Sequence, residues 1–187
     1  NCLASICIAI EMGISENSIR NTLNNFKGIK RRFESKGVTK DGIKIIDDYG
    51  HHPVEITYAL SSGRILASKN KLIVIFQPHR YSRLKDLFDE FCQCFNNADY
   101  VFITDVYAAG ESEIENFNKE TLAAGISDFG HNNVSIINNE NEICDKIHSV
   151  AKPNDVVIFL GAGSITKWSE TIVHQLNNSG LKNEKIF

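Results

Sequence analysis

The sequence predicts an α/β domain built on a doubly wound, mostly parallel sheet and preceded by two helices. Three observations carry that prediction. The apolar runs at 71–76, 100–104 and 155–160 are continuous rather than alternating, as in strands buried on both faces. Each is followed by apolar residues at helical spacing. The connections are short, which favours repeated strand–helix units wound into one sheet.

The elements follow in order. Leu3, Ile6, Cys7 and Ile10 have helical spacing, and Gly13 is a natural stop. Ile19, Leu23 and Phe26 mark a second helix with Ser15 as its N-cap. Residues 26–35, FKGIKRRFES, change character and read as a linker. A hairpin over 33–38 and 43–47 turns at Lys40-Asp41-Gly42. Pro53 suits the first turn of a helix whose buried face is Ile56, Ala59, Leu60, Gly63 and Ala67. The strand at 71–76 precedes one helix carrying Leu84, Leu87, Phe88, Phe91 and Phe95. The strand at 100–104 precedes a helix around 119–126, and a strand at 134–137 precedes one with Ile143, Ile147 and Val150. The strand at 155–160 leads into a last helix with Ile165, Trp168, Ile172 and Leu176.

Composition narrows the function. A 42% hydrophobic fraction over 187 residues supports a packed core. The net charge of −3 excludes a general nucleic-acid surface, although basic residues cluster at 27–32 and 80–85. No apolar stretch approaches the ~18 residues of a membrane span, and residues 1–13 lack a signal-peptide pattern. The five cysteines are odd in number, and Cys92-Gln93-Cys94 is spaced too closely for a usual zinc pair or redox motif. They read as reduced thiols of a cytoplasmic protein. The chain opens on Asn1, in mid-helix by its pattern, and reads as a segment of something longer.

In a doubly wound sheet, ligands sit beyond the C-terminal strand ends. Four polar segments fall there: 47–52, 77–83, 105–111 and 161–164. The string DDYGHHP at 47–53 packs two carboxylates, a phenol and two imidazoles into six residues before a proline. Alternation along a strand sends Asp47 and Asp48 to opposite faces, so one of them is expected to reach the site. His51 is expected to face ligand and His52 to cap the following helix, and a metal role for neighbouring histidines is a weak signal. Arg80 and Arg83 lie three apart and would share a face if helical geometry has begun, clamping a carboxylate or phosphate. The competing expectation is a surface pairing with Asp86 or Glu90. Residues 161–164, GAGS, lack the third glycine of a dinucleotide fingerprint and read as tight strand-to-helix packing. YAAGE at 107–111 offers a turn and a carboxylate. Arg31 and Arg32 form either a solvated basic patch or groups carried onto a ligand.

Taken together, DDYGHHPVEI (47–56), FQPHRYSR (76–83), DVYAAGE (105–111), LGAGSI (160–165) and KRRFE (30–34) resemble the Mur ligase family of peptidoglycan synthesis. The FQPHRYSR segment points to the alanine-adding branch rather than to murein-peptide ligases. Val54 and Leu84 stand where the family commonly has threonine, and neither is a charged contact. The resemblance implies a Rossmann-like C-terminal domain over 30–187. Residues 1–29 would be the last helices of the central ATP-binding domain and the linker. The family's first domain binds the UDP-sugar and its second carries a P-loop. No such string occurs here, so the segment is expected to be inactive alone.

The implied partners are UDP-N-acetylmuramate, L-alanine and ATP, together with the family's N-terminal and central domains. ATP phosphorylates the muramoyl carboxylate, and the alanine amine attacks the acyl phosphate to form the amide. By resemblance, Arg80 and Arg83 hold the alanine carboxylate and nearby anions, while Tyr49 and His51 line the same pocket. His51 orients the amine or accepts its proton. Arg32 reaches the ATP phosphates. Asp48 binds the ribose, with Asp47 the second choice, and Asn1 aligns with an ATP-contacting asparagine. Mg2+ is expected with ATP, its protein ligands lying mainly in the other domains and none assigned here. A different class of function is a non-catalytic nucleotide- or anion-binding module.

Overall fold

The computed structural model describes residues 2–179. Helices α1 (Cys2–Glu11) and α2 (Glu16–Asn25) form first. Gly13, in the left-handed region at φ 74°, ends the turn after α1. Ser15 caps α2 by accepting a hydrogen bond from the Ser18 amide at 3.3 Å. Neither helix buries a residue in the described chain, and Leu3, Ile8, Ile10 and Met12 are exposed.

The remaining elements make one layered domain. They run β1 (Glu34–Val38), β2 (Lys44–Asp48), α3 (Pro53–Ala67), β3 (Leu72–Phe76), α4 (Tyr81–Asp86) and α5 (Phe88–Gln93). Then come β4 (Tyr100–Ile103), α6 (Lys119–Asp128), β5 (Val134–Ile136), α7 (Glu142–Val150), β6 (Val156–Leu160) and α8 (Ile165–Ser179). The sheet order is β1-β2-β6-β3-β4-β5. β1 pairs antiparallel with β2 and every other pairing is parallel. This is the expected mostly parallel, doubly wound sheet. β3 and β6 are buried at every position, because helices cover both faces.

Each face has its own core. Ile56 and Leu60 of α3, Leu84 of α4, Phe91 of α5 and Leu122 of α6 pack with Val74, Phe76 and Ile158. On the opposite face Ile143 and Ile147 of α7 and Ile165, Ile172 and Leu176 of α8 pack with Ile45, Ile75 and Phe159. All five residues predicted for the inner face of α3 are buried there. One expectation fails: the single helix over Leu84–Phe95 is two helices, broken at Leu87 (φ −123°). The break turns Phe88 toward Phe117, 5.7 Å away ring to ring, and toward the close approach of Gly125 on α6. Helical spacing alone does not register that a neighbouring helix offers better burial than one unbroken turn.

From β3 the chain winds to β4 and β5, then returns to place β6 between β2 and β3. The direction of winding therefore reverses between β6 and β3, which opens a crevice at their C-terminal ends. At the other end of the sheet, Asp155 ties the strand starts together. It is 2% exposed, and its carboxylate accepts from the amides of Lys71 (2.9 Å) and Lys152 (2.7 Å). Asp155→Ala leaves both amides without that acceptor and should cost about 2–4 kcal/mol, measured as a lower midpoint in urea denaturation.

Candidate functional site

The turn after β2 is built by its own polar side chains. Asp48 is buried, and its Oδ1 accepts from the Gly50 amide while Oδ2 accepts from the Phe33 amide, both at 2.7 Å. The Tyr49 amide donates to the Arg31 carbonyl at 2.7 Å. Together these bonds staple the linker against the end of β2. His52 is the N-cap of α3, accepting from the Val54 amide, and Glu55 answers from the third helical position in a capping box. Burial raises the Glu55 pKa, and the His51 and His52 amides that bond its carboxylate outweigh this, leaving it below the ordinary 4.5.

Asp47 points the other way, as strand alternation requires. It is fully buried and accepts from the Thr166 hydroxyl at 2.6 Å, with Arg31 Nε at 3.7 Å and Lys36 Nζ at 3.9 Å. Burial pushes its carboxyl above the ordinary carboxylate range, against the opposing pull of Thr166 and the two cations. Among the described residues, Asp47 Oδ1 and Arg31 Nε are buried without a hydrogen-bond partner. Arg31 also donates to the Gly161 carbonyl at 2.6 Å, which anchors the linker to the turn after β6.

A line of rings crosses the strand ends. Arg31 and Arg32 lie over the Tyr49 ring at 4.8 and 5.6 Å. Tyr49 meets His51 edge-on at 5.1 Å, and His51 is tilted against His79 at 5.6 Å. His79 stacks on Tyr107 at 5.3 Å with an interplanar angle of 18°. The loops after β2, β3 and β4 thus meet side by side.

Both arginines after β3 are held by this assembly. Arg80 sits at φ 73°, in the left-handed region unusual for a residue with a side chain, and immediately precedes α4. Its amide donates to the Tyr107 carbonyl at 2.8 Å, and its guanidinium pairs with Glu111 at 3.2 Å. Glu111 also accepts from the Ser82 amide (3.0 Å) and hydroxyl (2.7 Å). Arg83 turns back to donate to His79 Nδ1 at 3.2 Å and to the His79 carbonyl at 2.9 Å. Helical geometry begins at Tyr81, so Arg80 lies outside α4 and the simple i,i+3 face does not apply. The partner of Arg80 is Glu111, from a loop remote in sequence, rather than Asp86 or Glu90.

The turn after β6 is packed shut. Gln77 is 5% exposed; its Oε1 accepts from the Ile165 amide at 3.1 Å and its Nε2 donates to Ser164 Oγ at 3.2 Å. A Cβ at Gly163 would collide with Gln77 Oε1 and the Tyr107 ring. The segment 161–164 therefore serves close packing, as expected, and the start of α8 is occupied by a side chain. A cavity of about 270 Å³ remains beside it, lined by Gln77, Thr104, Tyr107, Asn138, Ser164 and Trp168.

Tyr49, His51, Arg80, Arg83 and Arg32 thus lie along one edge, with Arg32 half exposed and 3.9 Å from Glu55. Asp48 adjoins them through its backbone bonds, and each oxygen retains a further lone pair. Asn1 lies outside the described residues. The described residues contain no cluster of three or more His, Cys, Asp or Glu side chains able to hold a metal ion. The five cysteines are unpaired, and burial pushes the Cys92 thiol up to about 11. No described helix is long and apolar enough to cross a membrane. The sequence does not single out His79 as a site residue, and Tyr107 and Glu111 enter there only as the turn and carboxylate of YAAGE. Their signal lay in the motifs FQPHRYSR and DVYAAGE, where each reads as a neighbour of something more reactive.

The strand ends of this parallel α/β domain gather arginines, imidazoles and a tyrosine, groups whose chemistry suits an anion. The chain belongs to the Mur ligase family: the family model described as "Mur ligase, glutamate ligase domain" matches residues 31–163. It is 46% identical over its whole length to the UDP-N-acetylmuramate–L-alanine ligase of Granulibacter bethesdensis. It is 49% identical over 94% of its length to the enzyme of that name from Rhodospirillum rubrum. The chain spans 38% and 36% of those two relatives. Among solved structures, the UDP-N-acetylmuramate-alanine ligase of Thermotoga maritima superposes with a TM-score of 0.78 at 28% identity, over 96% of this chain and 37% of that one. The MurF ligase of Thermotoga maritima, solved in complex with ADP, shares the fold at 19% identity and a TM-score of 0.68, over 95% of this chain and 38% of that one.

The bonds from Ser82, with the Arg80 charge behind them, hold the Glu111 carboxyl below its ordinary 4.5. A depressed acid stabilises the fold above its unfolded pKa and loses that contribution as pH falls through the lower folded value. A 13C titration of the Glu111 carboxyl should give a midpoint below 4.5 that rises in Ser82→Ala. The substitution keeps the Ser82 amide bond, so a midpoint unmoved by it would remove the Ser82 hydroxyl as a cause.

Proposed function

We propose that this chain is the amino-acid-binding part of an ATP-dependent ligase that joins L-alanine to UDP-N-acetylmuramate in bacterial peptidoglycan synthesis. The observation that carries it is the convergence of Arg80, Arg83, His51 and Tyr49 at the strand ends, in a chain 46–49% identical to ligases of that name. Arg83 and Arg80 hold the alanine carboxylate through charge-assisted hydrogen bonds. His51, hydrogen-bonded through Nδ1 to the Tyr49 carbonyl at 3.0 Å, orients the amine and takes up its proton as the amide forms. Arg32, poised over Tyr49, reaches the ATP phosphates, and Asp48 offers its remaining lone pairs to the ribose.

Residues 30–187 form the third domain of the ligase, and residues 1–29 continue its central domain; the exposed apolar residues of α1 and α2 favour that division. ATP phosphates and the muramoyl carboxylate both need cationic screening, which Mg2+ supplies when bound with ATP. Its protein ligands are assigned mainly to the rest of the ligase. The chain by itself is accordingly inactive, and the protein works in the cytoplasm, where its nucleotide substrates are made.

The test uses the full-length protein that contains this segment. It should release phosphate from ATP only with UDP-N-acetylmuramate and L-alanine both present, and the absence of alanine-dependent release sinks the ligase assignment. Arg83→Ala removes a charge-assisted contact worth on the order of 2–5 kcal/mol, so the alanine KM should rise by at least ~30-fold. An unchanged alanine KM takes Arg83 out of the pocket.

A further inference from the structure

We infer that His79 is a positioning residue for the amino-acid site: as a neutral imidazole it accepts a hydrogen bond from Arg83 and so aims the guanidinium at the alanine carboxylate. The inference rests on the ligase assignment for the identity of that anion. The His79–Arg83 pairing itself stands on geometry.

A guanidinium has donors and no acceptor. Arg83 Nη1 lies 3.2 Å from His79 Nδ1 and 2.9 Å from the His79 carbonyl. Nδ1 must therefore be the unprotonated nitrogen, with the ring proton on Nε2. The same residue supplies both acceptors, so the arginine is gripped by one main-chain oxygen and one ring nitrogen. Neither acceptor is an acid, and the full positive charge of Arg83 stays available for an anion. A carboxylate in the same place would neutralise it, as Glu111 partly does for Arg80.

The ring is in turn clamped. Tyr107 stacks on it at 5.3 Å, and His51 lies tilted against it at 5.6 Å. The backbone is held as well, since His79 and Tyr107 form a parallel bridge flanked by two bonds of 2.8 Å, from the Tyr107 amide to the Pro78 carbonyl and from the Arg80 amide to the Tyr107 carbonyl. Rotation of the imidazole away from Arg83 would break the stack, so the arrangement is preorganised before any ligand arrives.

The charged and titratable groups facing His79 are His51 from the loop after β2, Arg80 and Arg83 beside it, and Tyr107 and Glu111 from the loop after β4. Burial, then Arg83, His51 and Arg80, hold its pKa below the ordinary 6.5, against the smaller pull of Glu111. The neutral acceptor form is therefore present at neutral pH and above. As pH falls through the lowered value, an imidazolium would present a donor to a donor, and Arg83 would lose its aim.

Two substitutions in the full-length protein separate this role from a structural one. His79→Asn places an amide oxygen close to where Nδ1 sits, so it keeps the acceptor and removes the titration. It should hold the alanine KM near the parent value at neutral pH and lessen the rise of KM in acid. His79→Phe keeps a ring on Tyr107 but offers no acceptor. It should raise the alanine KM on the order of 10–100-fold while leaving kcat at saturating alanine within a few fold. Equal losses in both variants, or a parent KM in His79→Phe, would overturn the inference. A parent protein with no alanine-dependent activity would instead defeat the ligase assignment. The pairing is then read directly from 15N imidazole spectra of the present chain: an Nε2–H tautomer whose Nδ1 resonance moves in Arg83→Ala supports it, and an Nδ1–H tautomer refutes it.

Discussion

One side chain, Gln77, decides how the turn after β6 and the start of α8 are packed. The reversal of winding between β3 and β6 opens a crevice with the amides of a long helix at its rim, an arrangement that attracts phosphate. Gln77 fills that opening. It caps α8 through Ile165, bonds Ser164, and lies so close to Gly163 that nothing larger than glycine fits there. The rim of the crevice at α8 is thereby taken up by structure, with a cavity of about 270 Å³ left beside it. The arginines, imidazoles and Tyr49 gather on the adjoining edge, where the loops after β2, β3 and β4 come together.

Along that edge the cations are aimed by neighbours rather than merely present. Arg80 leans on Glu111, Arg83 on His79, and Arg31 on the Gly161 carbonyl. Half-exposed ion pairs such as Arg80–Glu111 contribute little to stability. Their consequence is orientational, because a guanidinium delivers paired hydrogen bonds only when its plane is set. The unusual backbone of Arg80 belongs to the same economy: a residue at φ 73° is tolerated where bonds from Tyr107 and the start of α4 over-determine it.

The linker is held to the same edge. Asp48 bonds the amides of Phe33 and Gly50, while the Arg31 carbonyl receives the Tyr49 amide. Any displacement of the segment before β1 would therefore disturb Tyr49 and, through its ring contacts, His51 and His79. This gives Asp48 a structural task that its position in a polar string did not disclose. It also explains why the two carboxylates of one motif behave differently: Asp48 accepts one backbone donor on each oxygen, whereas Asp47 is desolvated among the cations on the other face.

Much of this was legible without coordinates. Continuous apolar runs identified the buried strands, helical spacing identified the inner face of α3, and the proline and histidine before it announced the capped start, because these signals are local and periodic. Strand alternation also separated Asp47 from Asp48. The alignment of motifs at strand ends drew attention to His51, Arg80 and Arg83, and the family resemblance added Tyr49. What required the tertiary structure was every pairing between loops remote in sequence: Arg80 with Glu111, His79 with Tyr107 and His51, Gln77 with the start of α8. It also required the break at Leu87, where packing of Phe88 against α6 overrides spacing. The sequence by itself determined which residue types arrive at the strand ends. The tertiary structure decided which of them touch, because strand order in a wound sheet is set by how helices cover both faces, and no local pattern encodes that order.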